Sequence, residues 1–166
     1  MKMELIQPFI NAADAVLAET LKSPVRIGDV NMDEEAYRRK GMAALITIHG
    51  DIEGRVVLDL DTTTAVSIAT ALAGCEISLA DPAVKETVFE LANLVIGNAV
   101  TTLNDQGFRF KISPPEPHID EQGLRGSEDT EALVMVFDIP NGSVFMNIAM
   151  RYNRRRRVER AGAVTE

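Results

Sequence analysis

The stretch from Asp81 to Gly107 restricts this chain to a narrow set of folds. Asp81-Pro82 is a helix opening, because aspartate caps the first free N–H groups and proline takes the first helical position, where it loses no hydrogen bond. From Ala83 to Asn104 no further proline interrupts the sequence, and Gly107 follows. At about 100° per residue, Val84, Val88, Leu91, Val95 and Ala99 fall on one line, and Phe89, Ala92, Ile96, Val100 and Leu103 widen it. A helix that is apolar over more than half its circumference must be enclosed on several sides. Such a helix belongs in the core of a packed domain.

The rest of the chain supplies what packs around it. Residues 4–22 carry Leu5, Phe9, Ile10, Ala13, Val16, Leu17 and Leu21 at helical spacing, with Pro8 placed in the first turn and Ser23-Pro24 ending the helix. Residues 25–30 read as a short strand and 31–41 as a polar loop. Met42–Ile48 and Arg55–Leu60 read as an antiparallel hairpin around the turn 49–54, which is rich in glycine and acids. His49 falls at the strand end. Asp61 or a following threonine caps a helix over 65–73 that stops at Gly74. After the long helix, 108–112 is a strand candidate, 113–131 is loop with a brief strand near 117–119, and Ala132–Ile139 and Ser143–Met150 form a second hairpin across Pro140-Asn141-Gly142. The order helix, strand, loop, hairpin occurs twice, which suggests an internal duplication. The fold expected is α+β, an antiparallel sheet with packed helices. The expected division is one domain over 1–150 and an arginine-rich tail over 151–166.

Composition removes several classes of function. No apolar run approaches the roughly 18 residues of a membrane helix, and the opening Met1-Lys2-Met3-Glu4 leads into an amphipathic segment rather than a secretory signal. The expectation is a cytoplasmic protein that does not bind a membrane. His49 and His118 are far apart and have no metal-ligand spacing, so no metal site is expected. Cys75 stands alone beside Gly74 and reads as a small packing residue. The first 150 residues hold 11 basic and 23 acidic side chains, a net of −12, against a whole-chain net of −8. Such an acidic body argues against nucleic acid as a partner. The final 16 residues reverse the balance with six arginines, including the run Arg154–Arg157. That run is either a solvated tail or a binder of phosphate groups or of a membrane surface.

The polar remainder of the long helix is a narrow stripe of Glu86, Glu90, Asn93, Gly97, Thr101 and Asn104. Glu90 and Asn93 are three apart and project side by side. A glycine in mid-helix is less favourable than alanine by about 1 kcal/mol, and its use at 97 is to let another chain come close. From spacing alone the stripe either faces water or carries function.

The run Glu90-Leu91-Ala92-Asn93-Leu94-Val95-Ile96-Gly97-Asn98-Ala99 resembles the signature helix of the CheC/CheX chemotaxis phosphatases. That signature is a Glu-x-x-Asn pair, with Asp or Ser four residues before the glutamate and a proline further along the chain. Glu90 and Asn93 match it, and Pro115 and Pro117 lie in the right region. The opening Ile6-Gln7-Pro8-Phe9-Ile10-Asn11-Ala12, the hairpin around Gly50 and Gly54, and the helix ending at Gly74 also resemble the family, so the likeness spans roughly 4–150. Position 86 departs from the pattern, with Glu for Asp or Ser. A single Glu-x-x-Asn pair resembles CheX, where CheC-like members carry two.

The resemblance implies a phosphatase that hydrolyses the aspartyl phosphate of a CheY-like receiver domain. Asn93 would position the attacking water and Glu90 would pair with the receiver's active-site lysine. Glu86 and Gly97 are the further candidates for partner binding. The chain itself would bind no cofactor, since the Mg²⁺ would belong to the receiver, and it would form a homodimer through edge pairing of strands such as 144–150. The rival readings are a non-catalytic receiver-binding module of the same fold and an anion binder that uses the arginine run.

Overall fold

The computed structural model describes residues 3–33, 39–118 and 132–153. Along them the chain runs α1 (Met3–Leu21), β1 (Arg26–Asp33), β2 (Met42–Gly50), β3 (Ile52–Leu60), α2 (Thr62–Ala73), α3 (Pro82–Asp105), β4 (Phe110–Ile112), β5 (Glu116–Pro117), β6 (Ala132–Ile139) and β7 (Gly142–Tyr152). The architecture is α+β with one antiparallel sheet, as the sequence predicts. Alternation in the strands makes the core face. Ala44, Ile46 and Ile48 of β2, Val56, Leu58 and Leu60 of β3, and Val144, Met146 and Ile148 of β7 are buried together with the apolar faces of the three helices. The opposite sheet face holds Ala43, Val57 and polar groups, with Arg55 Nη2 donating to Asn147 Oδ1 at 3.1 Å. Asp59, buried there, accepts from the N–H of Lys40 at 2.5 Å and of Gly41 at 3.2 Å.

The strand order is β1-β6-β7-β3-β2-β4, with β5 also on β2. Exchanging β1 with β4, β2 with β6 and β3 with β7 returns the same order reversed. The helix–strand–hairpin units α1–β1–β2–β3 and α3–β4–β6–β7 are thus related about the central β3–β7 pair. Each unit lends its first strand to the edge of the other's hairpin. This topology supports the suggested duplication, which the side chains themselves no longer record.

Several boundaries move, each for a non-local reason. β1 runs on through Asn31, Met32 and Asp33, assigned from sequence to a loop, because they pair with Val134, Leu133 and Ala132 of β6. An edge strand needs only its backbone for that. The expected six-residue turn after β2 shrinks to one residue, Asp51. Gly50 is held by Phe110 of β4 and Ile52 by Tyr152 of β7, so both strands continue past their own hairpin. Strand β4 starts at Phe110 rather than 108, and β5 is Glu116–Pro117 rather than 117–119. The second hairpin turns on Pro140-Asn141, with Gly142 already paired to Ile139. Asn141 Nδ2 donates to Ser67 Oγ on α2 at 2.9 Å, and a Cβ at Gly142 (φ +142°) would lie 2.1 Å from Thr64 Oγ1. Arg151 and Tyr152, grouped with the tail, belong to β7, where Arg151 pairs with Glu53 at 3.1 Å. Residues 154–166, including the arginine run, lie outside the described residues.

Three further expectations are corrected. Pro8 lies in the second turn, since α1 opens at Met3; its ring removes the N–H that the Glu4 carbonyl would accept, and it is buried. Cys75 is exposed, because Gly74 at φ +71° turns the chain out of α2. Strand β7 has no free edge, being paired along its length with β3 and β6. Edge pairing of two copies through 144–150 is excluded, and the free edges belong to β1 and to β4 and β5.

Asp51 holds three chain segments together. It is 2% exposed, its carboxylate Oδ2 accepts from Arg109 N–H at 2.7 Å, its own N–H donates to Arg109 at 2.8 Å, and its carbonyl accepts from Asn153 at 2.9 Å. Asp51→Ala strands the Arg109 N–H and should destabilise the protein by about 1.5–3 kcal/mol, the range for a hydrogen bond to a charged group. Asp51→Asn keeps an acceptor oxygen and should lose less. Urea denaturation of both variants beside the parent measures this, and equal losses would show that the carboxylate's hydrogen bond is not what matters.

Candidate functional site

Helix α3 is fixed at its start and along its length. Asp81 Oδ1 accepts from Ala83 N–H at 2.9 Å, with Pro82 next in the first turn. Val84, Val88, Leu91, Ala92, Val95, Ile96, Ala99 and Leu103 are all buried, and α1, α2, β2 and β3 pack around them. Ala92, Val95 and Ile96 meet Ala44, Ile46, Val56 and Leu58 of the sheet. Full burial of a valine, leucine or isoleucine contributes about 1.5–3 kcal/mol. Several such residues far outweigh one mid-helix glycine, so Gly97 is tolerated without loosening the helix.

The outer stripe is where the sequence places it. Glu86, Glu90, Asn93, Gly97, Thr101 and Asn104 are all exposed. Among the described residues, no hydrogen bond or ion pair engages the side chains of Glu86, Glu90 or Asn93. The neighbouring cation Lys85 instead places its Nζ over the Phe89 ring, 5.3 Å from the centroid. Thr101 Oγ1 donates back to the Gly97 carbonyl at 3.0 Å, and a Cβ built at Gly97 would meet nothing within 4 Å. No neighbour among the described residues therefore explains the glycine.

The structure adds an element that the sequence reading missed. Between α1, α2 and α3 lies a groove of about 270 Å³, lined by Thr20, Leu72, Glu86, Glu90, Leu91 and Leu94 among others. Leu72 is 49% exposed and Leu94 42%. The groove brings Glu86 and Glu90 together, while Asn93 and Gly97 lie outside it, further along the stripe. Leu94 carried a signal: on the wheel it falls at the edge of the polar stripe, not on the apolar face. Leu72 carried none, since its place beside α3 is set by tertiary packing. Among the described residues no three His, Cys, Asp or Glu side chains converge as a metal would require.

The sequence model of the family described as "Chemotaxis phosphatase CheX" matches residues 42–138, more than half of the chain and all of α3. The chain belongs to the CheX family. The CheX of a CheX-CheY-BeF3-Mg²⁺ complex from Borrelia burgdorferi is 31% identical, over 90% of this chain and 99% of that one, with a TM-score of 0.73. A CheC-like superfamily protein from Shewanella sp. PV-4 (22% identity, 91% and 99% coverage, TM-score 0.79) has the same fold. So does the chemotaxis protein CheX from Desulfovibrio desulfuricans (18% identity, 89% and 99% coverage, TM-score 0.76). No curated protein sequence matches the chain. Glu90 and Asn93 fall inside the matched region.

Proposed function

We propose that this protein removes the phosphoryl group from the aspartyl phosphate of a CheY-like receiver domain, with Asn93 holding the attacking water and Glu90 docking the receiver. One observation carries the reading. The two side chains stand exposed and uncommitted, three residues apart, on a helix whose other faces are fixed in the core. The relative solved with CheY, BeF3 and Mg²⁺ agrees with a receiver as partner.

Hydrolysis adds the oxygen of one water to phosphorus, breaks the bond from phosphorus to the aspartyl oxygen, and releases inorganic phosphate and the free carboxylate. Phosphoryl transfer needs positioning and charge stabilisation more than covalent help. A carboxamide suits the first task, since its oxygen accepts from a water and its NH₂ donates. Holding the water in line removes much of the entropic barrier. A carboxylate beside a phosphate is repelled by it, so Glu90 acts on a cation instead. A lysine in the receiver's active site is the fitting partner for a charge-assisted hydrogen bond. The divalent ion is the receiver's, and this chain adds no ligand to it. Gly97, one turn beyond Asn93 and open above, admits the receiver's backbone.

The test is the decay of phosphorylated receiver domains from the same organism, alone and with this protein. Accelerated loss of phosphate supports the proposal. Binding of a receiver without acceleration means a non-catalytic module of the same fold.

A further inference from the structure

The groove beside Glu90 is not needed to hold a water or to pair with one lysine. It is concave, it crosses three helices, and its lining is split. Leu72, Leu91 and Leu94 give it an apolar floor, while Glu86 and Glu90 give it two carboxylates. Isolated exposed leucines are ordinary on a protein surface. Two half-exposed leucines from different helices, facing one groove with two carboxylates that no described residue pairs, call for a ligand that is apolar and positive at once. Among the described residues, no lysine or arginine lines the groove to neutralise it.

We infer that this groove is a second docking subsite for the receiver, one that takes a lysine or arginine from the receiver's surface. Its aliphatic stem lies on Leu72 and Leu94 and its charged head meets Glu86. The inference rests on the phosphatase reading and extends it. Long basic side chains have the required split character, with an apolar stem and a polar head. Position fits as well. Glu86 precedes Asn93 by seven residues, about 10 Å along the helix. A partner seated on Glu90 and Asn93 with an interface of ordinary size, about 800 Å² per side, covers the groove. Under this assignment Glu86, longer than the Asp or Ser of the family pattern, is a specificity-determining residue, and Leu72 and Leu94 determine which side chain it can reach.

The experiment compares Glu86→Gln, Leu94→Ala and the unmodified protein for binding to a receiver loaded with Mg²⁺ and beryllium fluoride, and for turnover of the phosphorylated receiver. The expected result is three- to tenfold weaker binding for each variant, with the loss in KM rather than kcat, and a shallower salt dependence for Glu86→Gln. Glu86→Lys should weaken binding further, and exchanging the receiver's basic residue for glutamate should restore it. Unchanged affinity in Glu86→Gln and Leu94→Ala, with phosphate loss still accelerated, overturns the groove assignment and leaves the phosphatase reading standing. Failure of every receiver to bind the unmodified protein overturns both.

Discussion

Asn93→Ala should reduce the accelerated dephosphorylation by about 10²-fold or more at saturating protein, close to the receiver's own rate of decay. The magnitude follows from the role. Losing an in-line position for the nucleophile costs on the order of 10²-fold in rate, roughly 3 kcal/mol of barrier. The protein should keep its fold. Asn93 is exposed, makes no hydrogen bond or ion pair among the described residues, and gives way to a better helix former. Receiver binding should persist, since Glu90 is intact. Asn93→Asp is the sharper control. It preserves shape but replaces a donor with a negative charge beside the phosphoryl group, and it should be as inactive as alanine. Single-turnover loss of label separates chemistry from binding. A rate that survives both substitutions would remove Asn93 from the chemistry and return the stripe to the water-facing alternative.

What the sequence revealed of this fold follows from which forces are local. Helix α3 was legible from end to end, because its cap at Asp81, its proline and its apolar period all lie within the segment they shape. The β2–β3 hairpin was legible as a pairing but not at its corner. Gly50, Asp51, Ile52 and Gly54 look like a loose turn, and only contacts with β4 and β7, some 60 and 100 residues away, keep the strands extended to a single corner residue. The polar end of β1 was hidden for the same reason, since its pairing with β6 leaves no mark on residues 31–33. The homodimer edge failed on topology. Residues 144–150 have the alternation of any strand, and nothing in that pattern tells a central strand from an edge.

The candidate site divides in the same way. The exposed stripe of Glu86, Glu90, Asn93 and Gly97 was legible because one helix presents all four, and a single period describes a single helix. The groove next to them was not found, because it belongs to no single element. Thr20 closes α1, Leu72 sits near the end of α2, and Glu86 and Leu94 lie two turns apart on α3. Surfaces shared by several elements form only when the core brings those elements together, so the part of a site that selects a partner is harder to read than the part that does the chemistry.

Gly97→Leu should move stability and partner affinity in opposite directions. Glycine within a helix is less favourable than leucine by most of the 1 kcal/mol or so that separates it from alanine. At Gly97 a Cβ meets nothing within 4 Å, so the first carbon of the new side chain clashes with none of the described residues. The variant should therefore resist urea better than the parent by about 0.5–1 kcal/mol. On the proposed receiver it should bind at least about tenfold more weakly, roughly 1.4 kcal/mol, because the leucine fills the space above the stripe one turn past Asn93. Gly97→Ala should gain similar stability and lose less affinity, since a methyl group reaches less far. Stability and affinity that both fall would mean that Gly97 serves the fold rather than the partner. Higher stability with unchanged affinity would mean that the receiver stops short of this turn, and the docking surface would then centre on Glu86, Glu90 and the groove between the helices.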